Sequence, residues 1–275
     1  MGDPPAKRSM PVKPVKPYKF LSAWFCPYAQ RAWIALNHHK IPYEKVEVLV
    51  LKRKPGQALR EATGYEKHPL VLKHHPSGLV PTLVDADEAE PAVYDSLICV
   101  EFCEDLATTG VVQGGTPLLP GDAVQRGRAR IWADYVNKQI CSQFYKVLVP
   151  KDLAVRAEAI EAFRAGLLKF QQEMKGPFFF GAQLSIVDIA LFPWAYRAIS
   201  VGIFETYRGP EFALDSKEFA GVYQWLKACE ELEAVKSTLA DPQDLKDTYH
   251  RYAEGTAESK VAEAVRIGKS AHEHG

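Results

Sequence analysis

Near the start of the chain a short apolar run passes directly into a helical pattern, in the stretch Ala23-Trp24-Phe25-Cys26-Pro27-Tyr28-Ala29-Gln30-Arg31. Residues 18–23 form a compact strand candidate. In residues 26–39, the apolar side chains that recur at helical spacing are Ala29, Ala32, Trp33 and Leu36. Pro27 suits the first helical position, because its missing N–H has no partner to lose there. The stretch therefore predicts a strand followed by a helix with Cys26 at its N-cap.

Cys26 is the candidate catalytic residue. At an N-cap the sulfur faces unpaired backbone N–H groups and the positive end of the helix dipole. This position lowers a thiol pKa from about 8.5 to roughly 3.5–7.5, which predicts a largely ionised nucleophile at neutral pH. The motif Cys-Pro-Tyr-Ala lacks a second cysteine, so a thiol from solution has to resolve a mixed disulfide on Cys26. An inert buried cysteine at a helix start is the alternative.

The remaining cysteines and the histidine pairs do not suggest a metal site. Five scattered cysteines are too few for a disulfide scaffold and fit a reducing compartment, which predicts a cytoplasmic location. Cys99 and Cys103 share a helical face without a nearby third ligand, so we interpret them as core residues and expect no metal. The adjacent pairs His38-His39 and His74-His75 are interpreted as solvated surface.

The order of elements in the first part of the chain predicts a small α/β domain over residues 18–106. Val46, Val48 and Val50 alternate as in a strand, and residues 80–85 and 92–94 form two more short strands. Residues 96–106 follow as a helix. A strand–helix–strand unit implies a parallel pair, and two close strands imply a hairpin.

The rest of the chain is predicted to be helical. Residues 107–123 are rich in Gly, Thr and Pro and are interpreted as a linker. Long helical patterns follow at residues 124–149, 151–174, 185–203 and 217–239. We therefore expect an all-helical domain with a C-terminal extension over residues 124–275. The Pro- and Lys-rich residues 1–17 are an N-terminal extension, either a solvated tail or an arm packed on the body.

Charge and hydropathy argue against two classes of partner. The chain of 275 residues has 34 Lys and Arg against 34 Asp and Glu, so its formal net charge is zero. Nucleic-acid binding usually requires a basic stripe or domain. No apolar run approaches the roughly 18 residues that a membrane span needs. We expect neither a nucleic acid nor a membrane as partner.

Two further motifs have a defined chemistry. In Gly78-Leu79-Val80-Pro81-Thr82 a proline opens a strand, and such a proline often marks a cis peptide. In Tyr94-Asp95-Ser96-Leu97 the polar pair precedes a helical pattern and is an N-cap signal. A helix start of this kind can bind a carboxylate through its free N–H groups. Capping without any function explains Asp95 and Ser96 equally well.

Together with the run Leu184-Ser185-Ile186-Val187-Asp188-Ile189-Ala190, these motifs resemble a cytosolic glutathione transferase of the cysteine-containing omega class, most similar to its fungal members. The resemblance covers residues 18–255. It implies a thioredoxin-like α/β N-terminal domain, an all-α C-terminal domain and glutathione as co-substrate. It also implies a hydrophobic acceptor site between the domains and a homodimer. Ser185 and Asp188 have the form of a capping box and are interpreted as structural.

The resemblance also assigns site residues. Cys26 matches the family's catalytic cysteine, and Tyr28 matches the aromatic residue beside it. Val80 matches the residue whose backbone pairs with the cysteinyl part of glutathione. Asp95 and Ser96 match the acidic–Ser pair that holds the γ-glutamyl group.

The position of the glutathione-binding lysine depends on how the long segment 51–76 is aligned. Counting back without gaps from the Val80-Pro81 motif gives Lys67, whereas the local motif gives Lys54. We favour Lys67. Longer than the family norm, the segment has no assigned role.

The acceptor site is expected to be aromatic. Phe25 and Pro27 flank the sulfur, and Tyr252 falls in the C-terminal segment that closes the site in the family. Tyr135 and Tyr249 are further candidates, although aromatic residues at helical spacing are mostly core residues.

Two functions from different classes follow. The first is a glutathione-dependent thiol transferase or reductase, in which Cys26 attacks the glutathionyl sulfur of a mixed disulfide or thioether-type adduct. A second glutathione then clears the enzyme, and dehydroascorbate-type reduction fits the same chemistry. The second is a non-catalytic ligand carrier or regulatory binding protein on the same fold. An intact Cys-Pro-Tyr-Ala motif favours the enzyme.

Overall fold

The computed structural model describes residues 17–62, 64–112 and 114–271. The predicted N-terminal extension lies outside these residues except for Pro17, as do the last four residues of the C-terminal extension.

The first domain has the predicted α/β order. Its elements are β1 (Tyr18–Ser22), α1 (Pro27–His38), β2 (Tyr43–Glu47), β3 (Leu49–Leu51), β4 (Tyr65–Lys67), α2 (Pro69–His74), β5 (Thr82–Val84), β6 (Val93–Tyr94) and α3 (Ser96–Thr108). Four strands form one sheet in the order β2-β1-β5-β6. The β1–β2 pair is parallel and the β5–β6 pair is an antiparallel hairpin, as predicted.

The period-two pattern at Val46, Val48 and Val50 predicted one strand, but the structure divides it between two strands. Val46 belongs to β2, whereas Val50 belongs to β3, which pairs with β4 in a separate two-stranded sheet. Val48 lies between the sheets, donating its N–H to Ser22 O at 2.9 Å and accepting from His68 N at 2.9 Å. Alternation of side chains continues through such a crossing, so the sequence pattern did not reveal it.

The second domain is helical. Its elements are α4 (Ala123–Tyr135), α5 (Ser142–Leu148), α6 (Leu153–Glu173), α7 (Ile186–Ala195), α8 (Ile203–Arg208), α9 (Ala220–Glu230), α10 (Glu233–Lys236), α11 (Pro242–Ala253) and α12 (Lys260–Arg266). π-helical turns at Val136–Cys141 and Tyr196–Ser200 extend α4 into α5 and continue α7. The predicted helix at residues 217–239 is divided into α9 and α10, because Leu232 is extended. The thioredoxin-like and all-helical fold class is confirmed.

The capping box at the start of α7 is present and connects several elements. Asp188 is fully buried, and its Oδ2 accepts from Ser185 N and Oγ at 2.8 and 2.6 Å. Its Oδ1 accepts from Phe179 N and Trp225 Nε1, both at 2.8 Å. One carboxylate therefore joins α7 to α9 and to the loop before α7.

A second buried carboxylate attaches the interdomain linker to the first domain. Glu104 on α3 accepts from the backbone N–H groups of Leu118 and Leu119 at 2.8 and 3.2 Å. It also lies 3.1 Å from His39 Nε2, and both side chains are almost fully buried. The interpretation of His39 as solvated surface is therefore wrong, since this histidine is the buried partner of Glu104.

The two cysteines that share one helical face lie on α3. Cys99 and Cys103 are completely buried, which confirms their interpretation as core residues.

No helix within the described residues is both long and apolar enough to cross a membrane.

Candidate active site

A cavity of about 460 Å³ lies between the two domains, and Cys26 lines it. The first domain contributes residues that follow β1, β4 and α2 and that precede α3. The second domain contributes Asn137, Tyr145 and residues of α11 and α12. The topology thus brings four parts of the first domain, at β1, β4, α2 and α3, to one opening that the helical domain covers.

Cys26 occupies the N-cap of α1 with Pro27 as the next residue, which confirms the predicted local structure. Burial raises the pKa of the Cys26 thiol, while the backbone N–H groups of Ala29 and Tyr28 act in the opposite direction. Two arginines, Arg197 and Arg31, also favour the thiolate. The predicted lowering of the pKa is therefore wrong for this structure. The physical reason is that desolvation of the sulfur outweighs the effect of the helix start.

Arg197 connects the helical domain to the backbone beside the thiol. This fully buried side chain donates from Nη2 to Phe25 O at 3.0 Å and from Nη1 to Gln30 Oε1 and Pro193 O, both at 2.7 Å. No carboxylate pairs with it among the ion pairs of the described residues. Its positive charge is therefore available to stabilise a thiolate on Cys26.

Arg31 connects α1 to the predicted γ-glutamyl site. Its guanidinium is fully buried and donates from Nη1 to Ser96 Oγ at 3.1 Å and to Asn137 Oδ1 at 3.0 Å. Nε and Nη2 both donate to Ala190 O, at 3.0 and 2.7 Å. Arg31 thus fixes the orientation of Ser96 and carries a second buried positive charge toward the cavity.

Asp95 is the N-cap of α3, as predicted, and lines the cavity with Ser96. Its Oδ1 accepts from Leu97 N at 3.0 Å and Ile98 N at 3.4 Å. The backbone of Asp95 has φ of 70°, a conformation that costs an L-residue on the order of 1–3 kcal/mol. The capping bonds hold this conformation and leave the second carboxylate oxygen for a ligand.

The peptide between Val80 and Pro81 is cis, as the motif predicts, and both residues line the cavity. β5 begins directly after Pro81, at Thr82. Val80 therefore presents its backbone just before the start of a central strand, in the wall of the cavity that Cys26 also lines.

Of the two candidate lysines, Lys67 lies in the cavity wall and Lys54 does not. Lys67 is the last residue of β4, and its Nζ donates to Ser77 O at 2.9 Å. Lys54 is exposed, and its backbone N–H donates to Gln57 Oε1 at 2.8 Å in a local turn. The structure therefore places Lys67, and not Lys54, where a ligand of this cavity can be contacted.

The residues expected from the sequence to form an acceptor site include Phe25, Tyr249, Tyr252 and Pro27, and all four line the cavity. Tyr65, in the long segment of unassigned role, stacks on Phe25 with ring centroids 5.6 Å apart and planes at 10°. Its hydroxyl lies 2.9 Å from the Tyr252 hydroxyl. The segment therefore supplies part of the aromatic wall of the cavity.

Arg251 packs behind this wall. Its guanidinium lies 4.3 Å from the centroid of the Tyr65 ring, and its Nη1 donates to Gly64 O at 3.4 Å. Arg251 is 4% exposed. It holds β4 of the first domain against α11 of the second, which fixes Tyr65 at the cavity.

Tyr135 is not part of the cavity, contrary to the sequence prediction. It lies at the end of α4, where its ring contacts Trp132 at 5.0 Å. Lys169 of α6 places its Nζ 4.5 Å from the Tyr135 ring centroid. Tyr145 of α5, beyond the π-helical turn, lines the cavity instead.

Sequence reasoning missed several residues that the structure brings to the site, namely Arg31, Tyr65, His75, Tyr145, Arg197 and Lys260. A charged residue inside the apolar pattern of residues 185–203 was the available signal for Arg197, which lies on the π-helical turn after α7. His75 lines the cavity and packs on Tyr94 at 4.6 Å, so its interpretation as solvated surface is wrong. No sequence pattern indicated Lys260, because α12 lies after residue 255, where the family resemblance ends.

A second cavity and the metal-binding residue types were compared with this site. A larger cavity, of about 740 Å³, lies at the opposite end of α1 beside Asn37 and His38, and no cysteine lines it. Among the described residues, no group of three His, Cys, Asp or Glu side chains is arranged to hold a metal ion.

Two family models match the chain. The model described as "Glutathione S-transferase, N-terminal domain" matches residues 25–106, and "Glutathione S-transferase, C-terminal domain" matches residues 154–228. Both models fall on the two domains that meet at the cavity, so the fold and the site define the same structural class.

The solved structure of glutathione transferase Omega 3C from Trametes versicolor is 33% identical to this chain, with a TM-score of 0.67. The match covers 82% of this chain and 90% of that chain. The chain belongs to the glutathione S-transferase family.

Other relatives are more distant. Glutathione S-transferase U1 of Arabidopsis thaliana is 27% identical over 226 residues, which is 80% of this chain and 88% of the relative. Rice GST1, solved in complex with glutathione, has the same fold at 23% identity and a TM-score of 0.67, covering 87% of this chain and 97% of that chain. The family therefore includes chains of more than one class.

Proposed function

We propose that this protein is a glutathione-dependent thiol transferase of the omega type that works through a mixed disulfide on Cys26. The observation that carries the proposal is the position of Cys26, at the N-cap of α1 and in the wall of the interdomain cavity. The 33% identity to an omega-class structure supports it, as does the complex of a related rice enzyme with glutathione.

Glutathione fits the charges of the cavity in one direction. The carboxylate of Asp95 matches the ammonium of the γ-glutamyl group, and Ser96 at the start of α3 matches its carboxylate. The backbone of Val80 pairs with the cysteinyl residue, beside Cys26. Lys67 at the far end then matches the glycine carboxylate. Tyr28 lies beside the sulfur as part of the wall.

The reaction needs no group beyond thiols. The Cys26 thiolate attacks the glutathionyl sulfur of a mixed disulfide, so that a new S–S bond forms and the substrate leaves as a thiolate that takes a proton. A second glutathione thiolate then attacks the glutathionyl sulfur on Cys26. Glutathione disulfide leaves, and the Cys26 thiolate is restored. Dehydroascorbate-type reduction uses the same cysteine.

Formation of the thiolate is the demanding step, since burial raises the pKa of Cys26. The N–H groups at the start of α1, Arg197 and Arg31 all oppose this effect. They stabilise the charge where it develops, without needing to reorient.

We also propose a cytoplasmic homodimer. Ile98 on α3 is 54% exposed, and Val124 and Ile131 on α4 are 72% and 69% exposed. The ion pair between Glu101 and Arg130, at 2.6 Å, joins the same two helices. An exposed apolar patch of this kind is typical of an interface.

The test is Cys26→Ser. We expect this variant to lose turnover of a glutathionylated peptide and to bind glutathione as the parent protein does. Mass spectrometry of the parent protein, mixed with the same peptide, should show one glutathione adduct, on Cys26. Unchanged turnover in the variant would contradict the mechanism.

A non-catalytic ligand carrier is the second candidate. The raised pKa of Cys26 favours it, because a carrier does not need an activated thiol. The two candidates differ in turnover of the glutathionylated peptide: a carrier binds glutathione but gives neither turnover nor a Cys26 adduct.

A further inference from the structure

The segment after α11 forms one wall of the cavity. Its residues 258–261 line the cavity together with Lys67 and His75 of the first domain. The segment is anchored to the helical domain, because Ala262 and Val265 are buried and Ser270 Oγ lies 2.8 Å from Ser142 Oγ. The C-terminal part of the chain therefore reaches across to the first domain and is held there.

Lys260 places a second positive charge at the Lys67 end of the cavity. Both lysines line it, and neither forms an ion pair with a carboxylate of the described residues. Lys67 is held in place by its bond to Ser77 O, whereas Lys260 is exposed at the mouth. Two cations on facing walls repel each other, and an anion between them relieves that repulsion.

The titration behaviour of the neighbouring groups is consistent with this arrangement. Burial lowers the pKa of Lys67, and the charge of Lys260 lowers it further. Burial likewise lowers the pKa of His75, with Lys67 and Lys260 acting in the same direction and Asp95 against them. The histidine is thereby kept neutral, so the charge at this end comes from the lysines.

Two acids, Asp95 and Glu258, also line the cavity, and neither forms an ion pair with Lys67 or Lys260. Asp95 caps α3, and Glu258 points at Gly64, with its Oε2 only 2.7 Å from where a Cβ on that glycine would stand. A ligand with a free carboxylate therefore finds its counter-charges at the two lysines. Glutathione, oriented with its γ-glutamyl ammonium on Asp95, directs its remaining carboxylate to this end.

We propose that Lys260 is a second binding residue for the glycine carboxylate of glutathione, contributed by the C-terminal segment across the cavity from Lys67. The proposal rests on the function proposed above. It makes α12 part of the glutathione-binding site. The helical domain then binds the glycine carboxylate of glutathione as well as covering the acceptor.

The test compares glutathione with its glycine monoethyl ester, which lacks the charge in question. Dissociation constants are measured by calorimetry for the parent protein, Lys260→Gln and Lys269→Gln. Lys269 is exposed on the same segment and does not line the cavity, so it is the matched control. Thermal unfolding of each variant shows that the fold is retained.

We expect Lys260→Gln to weaken glutathione binding about three- to tenfold, as for a charge-assisted bond at a partly exposed site. Binding of the ester should change less than about twofold, because the uncharged end makes no ion pair. Lys269→Gln should bind both as the parent protein does. In about 0.5 M salt the difference between parent and Lys260→Gln should shrink, since exposed charges are screened.

Two outcomes would overturn the proposal. Lys260→Gln could bind glutathione as tightly as the parent protein, or it could lose the same factor for both ligands, which would indicate a structural effect. If the parent protein binds neither ligand, the proposed function fails and this inference with it. The parent protein's own binding thus separates the two failures.

Discussion

The guanidinium of Arg197, on the π-helical turn after α7, donates from Nη2 to the backbone carbonyl of Phe25, 3.0 Å away. Phe25 immediately precedes Cys26, so the helical domain directly holds the backbone that carries the thiol. The same side chain places a buried positive charge near the sulfur without a carboxylate partner among the described residues.

Replacing Arg197 tests whether this charge serves the thiol. Arg197→Met should slow alkylation of Cys26 at pH 7 by roughly threefold to tenfold, because loss of a cation raises the thiol pKa. It should also lower the free energy of unfolding by about 3 kcal/mol, since buried acceptors lose a charged donor. Iodoacetamide kinetics and urea unfolding measure the two effects. Arg197→Lys keeps the charge and should recover most of the alkylation rate; equal slowing in both variants would assign Arg197 a purely structural role.

The pH dependence of Cys26 follows from its burial. A free cysteine titrates with a pKa of about 8.5. Because burial raises the pKa of the Cys26 thiol, its alkylation rate should keep rising above that pH. The neutral thiol is favoured in the fold. The contribution of the neutral Cys26 thiol to the free energy of unfolding is therefore complete below the pKa of a free cysteine. It is lost as the pH rises through the pKa of Cys26 in the folded protein.

The measurement is the pH profile of iodoacetamide reaction, with Cys26→Ser as the blank for the four fully buried cysteines. A midpoint well below that of free cysteine would mean that the helix start and the two arginines overcome desolvation.

The two lysines proposed from the sequence provide a matched pair. Lys67→Gln should weaken glutathione binding about tenfold, because a charge-assisted contact in the cavity is lost. Lys54→Gln should leave binding unchanged, since Lys54 is exposed outside the cavity. Calorimetric titration with glutathione distinguishes them, and the reverse order would move the peptide site toward the turn at residues 54–57.

Tyr65 is expected to determine how the acceptor binds. Tyr65→Ala removes the ring that stacks on Phe25 and should raise the KM for a glutathionylated peptide about tenfold, with an unchanged Kd for glutathione. Tyr65→Phe removes only the hydroxyl contact to Tyr252 and should have a smaller effect. Steady-state kinetics of the two variants measure this difference. If glutathione affinity falls in parallel with the KM effect, Tyr65 supports the whole cavity and not the acceptor end.

Asp188 is expected to be a stability residue without a role in binding. Asp188→Ala should lower the free energy of unfolding by about 3–5 kcal/mol, because it leaves four buried donors without their carboxylate. Ser185→Ala, which removes one of those donors, should cost about 1 kcal/mol. Urea unfolding gives both values, and a glutathione titration of the folded Asp188→Ala protein should match the parent protein.

The local structure around Cys26, Pro81 and Asp95 could be predicted from the sequence because each depends on neighbouring residues. A proline after the cysteine starts α1, a proline after Val80 marks the special peptide, and an aspartate caps α3. The order of elements similarly predicted the parallel pair, the hairpin and the helical second domain. Short-range sterics and hydrogen bonding determine these features, so the sequence alone was sufficient.

The environment of the thiol was decided by the tertiary structure. The pKa of Cys26 depends on how completely Phe25 and the aromatic residues of α11 exclude water, and that follows from the meeting of two domains. Tyr65 and Lys260 line the cavity and Arg197 contacts the backbone of Phe25 beside it, from segments far apart in the chain. Desolvation and long-range charge act through space, so no local pattern in the sequence could reveal them.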